Sequence, residues 1–215
     1  MAKQGSKPGS GTAGSAADTR AALIRGAIGA LSDAGYAGAS AREIARRAGC
    51  NQALIFYHFG SVDGLLLAAL DEVSAVRLAK YRAAVQRSGT LSELVKTARS
   101  VFDEDLDRGY VAVLAAMIAG AQSSPALGAE VAGRLAPWRA FAAESLQPFV
   151  DGTPLAGMIR GEEIAHAIVA LYLGLEMLAS LDGDRAAALA LFDRARRAAS
   201  LLDMLGAGSS VREQQ

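Results

Sequence analysis

The chain has 215 residues, enough for one large domain or two small ones with an ample core. Hydrophobic residues make up 52% and charged residues 20%, a globular composition that excludes a disordered chain. The formal net charge is zero, and a single cysteine, Cys50, excludes an intramolecular disulfide framework and fits a reducing cytoplasm.

The charge is unevenly spread. Residues 1–60 carry Lys3, Lys7, Arg20, Arg25, Arg42, Arg46 and Arg47 against Asp18, Asp33 and Glu43, which leaves that segment basic and the remainder acidic. A basic head on an acidic body brings the head to phosphate and keeps the body away from it.

Residues 1–17 are a low-complexity run of Gly, Ser, Ala and Lys that reads as a disordered tail. The first predicted helix covers 18–34, with Leu23, Ile24, Ala27, Ile28 and Leu31 along its apolar side. Gly26 and Gly29 weaken it by about 1 kcal/mol each relative to Ala, so packing has to stabilise it.

A second helix starts at Ser40, which can cap it, with Glu43 placed to close a capping box. Ile44, Ala45 and Ala48 share a face, and Gly49 stands where the helix must stop. Asn51 can cap a very short third helix leading into Phe56, Tyr57, His58 and Phe59. Two short helices around a glycine turn, the second offering polar groups at its start, suit a major-groove reader.

A long fourth helix is predicted over 61–87, with Leu65, Leu66, Ala69, Leu70, Val73 and Val76 facing inward. A fifth covers 91–107 and ends in an acidic run at 103–107. That run lacks the alternating ligands and glycine of a calcium loop, so it reads as a solvated helix end. The sixth covers 110–121 and the seventh 126–150, the latter with an expected kink at Pro137. Helices over 162–181 and 185–205 close the chain before a frayed end at 206–215. The first of these is apolar enough for a membrane span, yet acids flank it where Lys or Arg anchors would be expected. A helix covered by protein partners is the better reading. His166 lies inside it with no ligand at i+3 or i+4, which favours a hydrogen-bonded interface histidine over a metal site. Cys50 reads as a small buried apolar group. No Walker loop, dinucleotide fingerprint, HExxH or G-x-S-x-G motif is present, so no enzyme activity and no cofactor are expected.

Residues 19–70 resemble the DNA-binding region of the tetracycline-repressor (TetR) family of bacterial transcriptional regulators. Ile24, Ala27 and Leu31, then Gly35-Tyr36, Ile44-Ala45, Ala48-Gly49, Phe56-Tyr57-His58-Phe59, Asp63 and Leu65-Leu66 carry the likeness. Two positions depart from the pattern: Val62 stands where a phosphate-gripping Lys is usual, and Leu31 where Phe is frequent. The resemblance implies an all-α chain: a helix-turn-helix domain at 18–60, then a helical ligand-binding and dimerisation domain at 61–205. It also implies a cytoplasmic homodimer that binds a pseudo-palindromic DNA operator, most simply as a repressor released by a small, mostly apolar effector.

Tyr57 and His58 then become phosphate donors, and Asn51, Gln52 and Ala53 base-edge readers. Ser40, Ala41 and Arg42 would lie near the backbone. Phe102, Met117, Trp138, Phe141, Tyr172 and Met177 are candidate pocket residues, because large apolar or amphipathic groups suit such cavities; Glu176 or Arg139 could select a polar group on the ligand. The competing class is a helical small-molecule-binding or enzymatic protein whose helix-turn-helix only stabilises the fold.

Overall fold

The computed structural model describes residues 11–150 and 160–212. Among them every ordered element is helical: α1 (Gly11–Gly38), α2 (Ala41–Ala48), α3 (Ala53–Phe59), α4 (Val62–Val85), α5 (Leu91–Arg108), α6 (Tyr110–Ala121), α7 (Pro125–Gly133), α8 (Ala136–Val150), α9 (Gly161–Asp182) and α10 (Ala186–Arg212). The chain divides into two compact units between Glu72 and Val73, within α4.

The first unit is built on α1, which buries Leu23, Ile24, Ala27, Ala30 and Leu31. It begins at Gly11, inside the stretch expected to be a tail; Lys3 and Lys7 lie outside the described residues. A Cβ on Gly26 would stand 2.9 Å from the Ile44 carbonyl oxygen and 3.3 Å from the Ala48 nitrogen. The glycine that weakens α1 in isolation is therefore what lets α2 lie against it. Beyond a break at Gly35 (φ 66°), Tyr36 donates its hydroxyl to Asp63 at 2.7 Å. The bond ties the end of α1 to the first turn of α4. It also pushes the phenol up to about 12, burial and the Asp63 charge adding to it. From α4 itself, Leu65, Leu66, Ala69 and Leu70 complete this core.

In the second unit α5 lies along α10 and α8 along α9. The Thr90 hydroxyl accepts the Glu93 N–H at 3.2 Å, and the Asp203 carboxylate of α10 accepts the N–H groups of Leu91 and Ser92, both at 3.0 Å. Those acceptors satisfy the otherwise orphaned donors of the first turn of α5. The single kinked helix expected at 126–150 is two helices instead. Pro137 is the second residue of α8, where a missing N–H has no intrahelical acceptor to lose, so it starts a helix and does not bend one. Other corrections are smaller. Val76 is 51% exposed where an inward position was expected, and α10 runs past 205 to Arg212. Cys50 is half-buried, and burial pushes its thiol pKa up.

Candidate nucleic-acid interface and cavity

Local chemistry sets the head. The Ser40 hydroxyl accepts the Glu43 N–H at 3.3 Å and starts α2. The reciprocal half of the capping box does not form: Ser40 N–H donates to the Gly38 carbonyl at 2.9 Å. Glu43 turns to Arg46 (Nε 2.8 Å, Nη2 2.7 Å) and Arg47 (Nε 2.6 Å). Those bonds, Arg46 first, hold the Glu43 carboxyl down at about 2. Arg47 also reaches Asp33 at 2.6 Å. Both arginines are thus matched by acids of the head itself, whereas Arg42 is exposed with no ion-pair partner among the described residues.

At the turn, Gly49 adopts φ 66° and ψ 31°. Gly49 N–H donates to the Arg46 carbonyl at 3.4 Å, and Cys50 N–H donates to the Ala45 carbonyl at 3.1 Å. This is a Schellman closure, and a side chain at that φ would be strained. The Asn51 amide oxygen then accepts the Ala53 N–H at 2.8 Å and launches α3.

Ile55, fully buried, anchors α3, which leaves Asn51, Gln52 and Ala53 exposed at its leading edge. Tyr57 is 81% exposed, so it does not pack at the α3–α4 junction. His58 is half-buried with its ring edge-on to Tyr57 at 4.9 Å, and Arg20 covers the Phe59 ring at 5.1 Å. Ser40 and Arg42 are exposed and Ala41 is half-buried. Sequence reasoning missed Phe56, which is 54% exposed on the same short helix. Its alternation with buried Ile55 is the signal that could have found it.

The second unit contains a half-open cavity of about 300 Å³. Trp138, Phe141 and Tyr172 line it, joined by Tyr81, Arg77 and a belt of aliphatic side chains. Phe102 and Met117 are fully buried core residues outside the lining; the Phe102 ring packs on Tyr172 at 5.2 Å and Phe192 at 5.1 Å. Met177 is exposed and off the wall, as is half-buried Arg139.

One end of the cavity carries a buried polar cluster. Arg77 donates Nε to Asp105 at 2.8 Å and Nη2 to Glu176 at 2.6 Å. The Tyr81 hydroxyl donates to the same Asp105 oxygen at 3.1 Å, and Tyr172 meets Tyr81 hydroxyl to hydroxyl. Asp105 and Glu176 are fully buried, so the acidic run at 103–107 is not simply a solvated helix end. Its other members are paired at the surface, Glu104 with Lys80 at 2.6 Å, Asp103 and Asp107 with Arg185 at 3.0 and 2.7 Å. Burial works against the Arg77 charge, but Glu176 and Asp105 outweigh it and hold the guanidinium pKa above its ordinary value. The sequence held a sign of this: Arg77 and Tyr81 continue the inward stripe of Leu66, Leu70 and Val73 at spacings of three and four. A charge in such a stripe has to find a partner.

Residues 23–69 match the sequence profile of bacterial regulatory proteins of the tetR family. The chain carries a tetR-family helix-turn-helix. The fold agrees over both units. A putative transcriptional regulator from Pseudomonas aeruginosa PAO1 is 24% identical over 90% of this chain and 92% of its own, with a TM-score of 0.66. A TetR-family member from Streptomyces coelicolor A3 is 26% identical over 82% of this chain and 97% of its own, at 0.62. A putative TetR-family regulator from Rhodococcus sp. is 19% identical over 87% and 99%, at 0.70. No curated protein matches the chain. The match over residues 23–69 and the shared fold support a DNA-binding transcriptional regulator.

Proposed function

We propose that the protein is a homodimeric repressor that binds a pseudo-palindromic operator and leaves it when a small, mostly apolar effector fills the cavity of the second unit. The observation that carries this reading is the outward leading edge of α3, with Gln52, Ala53, Phe56 and Tyr57 exposed above a buried Ile55. Gln52 suits an adenine edge, Ala53 and Phe56 suit thymine methyls, and the Tyr57 hydroxyl suits a phosphate.

Dimerisation is supported by α9 and α10, which expose Leu171, Leu178, Leu181, Leu191, Leu201 and Leu202. Only 17% of the most apolar window of α9 is buried, so its apolar face calls for a partner. Two helices from each protomer would give a four-helix interface. Heads paired in this way would reach successive major grooves about 34–36 Å apart.

The release mechanism is linkage, limited by the difference in effector affinity between the two states. One helix supplies the lever, since α4 contributes Leu65 and Leu66 to the core of the head and Arg77 and Tyr81 to the cavity wall. The test is binding of the full chain to DNA flanking its own gene across a salt series. Sequence-specific binding that Gln52→Ala abolishes supports the regulator. Equal binding to any DNA would instead favour a ligand-binding protein with a merely structural head.

A further inference from the structure

We infer that the cavity selects its ligand by a hydrogen-bond-donating end, so that the effector is a compact hydrophobe carrying a hydroxyl or amine and not a carboxylate, ester or ether. The inference rests on the cavity being the effector site, and it follows from which way the hydrogen bonds in the wall must run.

Asp105 is fully buried, and its Oδ2 already accepts the Arg77 Nε–H at 2.8 Å, so it is an acceptor. The Tyr81 hydroxyl 3.1 Å from it must therefore be the donor. With its one proton committed, Tyr81 can meet the Tyr172 hydroxyl only as acceptor, so Tyr172 donates to Tyr81. The chain Tyr172 to Tyr81 to Asp105 thus has a fixed direction, and its open end is a Tyr172 oxygen that has lone pairs and no proton to give.

Of the remaining polar lining, Thr97 pairs hydroxyl to hydroxyl with Ser88 at 3.2 Å, and two side chains have their protons committed. Trp138 donates its indole N–H to Ser74 at 2.8 Å, and Ser145 donates to the Phe141 carbonyl at 2.7 Å. Arg77, the cation on the wall, is paired with Asp105 and Glu176. Behind the wall, Asp105 Oδ1 and Glu176 Oε2 have no hydrogen-bond partner, nor has Lys80 Nζ, which lies 3.9 Å from Asp105 Oδ1. The open Tyr172 oxygen offers lone pairs and no proton, so at this end a ligand that brings a proton is favoured over one that brings only lone pairs.

Trp138 is the sole tryptophan and lines the cavity, so its fluorescence in the full-length protein reports occupancy directly. The probes share one apolar body: 4-phenylbutan-1-ol, 4-phenylbutylamine, the methyl ether of the alcohol, and 4-phenylbutanoate. The alcohol and amine are expected to quench Trp138 roughly tenfold more tightly than the ether, and the carboxylate more weakly still. Tyr172→Phe should bring the alcohol down to the ether.

Tyr81→Phe supplies the check that a merely structural role would not pass. It frees the Tyr172 proton to turn into the cavity, so the ether should rise to the level of the alcohol. Equal binding of ether and alcohol by the wild type, tightest binding of the carboxylate, or no gain of ether binding in Tyr81→Phe overturns the inference and leaves the cavity as effector site. Quenching by none of the four removes the cavity reading and the inference with it.

Discussion

Burial raises the Glu176 carboxyl to about 7, with Arg77 pulling it down and Asp105 pushing it further up. Between its ordinary value of 4.5 and about 7, the folded chain holds a proton that the unfolded chain has released. Stability must therefore fall as pH rises through that window, by roughly 1–3 kcal/mol from this group. Glu176→Gln mimics the protonated side chain and should flatten the slope, which urea midpoints at pH 5 and pH 8 would show. Identical pH dependence in wild type and variant would refute the assignment. In the head, Tyr57→Phe should weaken binding to all DNA alike, whereas Gln52→Ala should cost about 1–3 kcal/mol at one base pair and relax the preference there. Competition binding against single-base operator variants separates the two. The exposure of Gln52 and Tyr57 was legible in the sequence because a short helix with one buried anchor leaves few choices of face. Cavity residues were less so. Trp138, Phe141 and Tyr172 line the wall while Phe102, Met117 and Met177 do not, and size and hydropathy are alike in both sets. What divides them is tertiary packing, which no local pattern encodes.

Elements whose ends are set by their own neighbours were readable. The Ser40 cap, the Gly49 closure and the Asn51 launch depend on residues within a few positions, and α6 begins and ends where its apolar run does. Ends set at longer range were not, as Pro137 shows: a proline breaks a helix or begins one according to where the preceding turn stops. The α1–α2 contact gives a sharper case. Gly26 and Gly29 lie in the same helix and carry equal helix-propensity penalties. A Cβ on Gly26 would meet backbone at 2.9 Å, which cannot yield without shifting α2, whereas one on Gly29 would meet Arg47 Nη1 at 3.1 Å, the far end of a long side chain that has to give by only a few tenths of an ångström. Gly26→Ala should therefore destabilise by about 1–3 kcal/mol, and Gly29→Ala should be neutral or stabilising by up to about 1 kcal/mol. Thermal unfolding of the two variants checks this; equal shifts of the same sign would contradict the packing argument.

For the whole molecule, the formal charge of zero conceals a polarity that matters for assembly on DNA. Part of the positive excess in the head is neutralised within it, because Arg46 and Arg47 face Glu43 and Asp33. Val62, half-buried at the start of α4, adds no charge where the resemblance would supply a lysine. Few cationic contacts should therefore carry the affinity, and the salt dependence should be shallow. Leu171→Glu with Leu178→Glu places acids on the exposed face of α9; the proposed dimer should dissociate in sedimentation while Trp138 quenching by a cavity ligand persists. Operator affinity should fall with it, since a single head has half the phosphate contacts. Val62→Lys then counts heads on the duplex. Each added phosphate contact steepens the plot of log affinity against log salt by about 0.9. A paired reader gains two such contacts and a lone subunit one, so a change in slope of about 1.8 requires two protomers on the operator. A change of about 0.9 would mean that one head binds, and the symmetric arrangement would have to be given up.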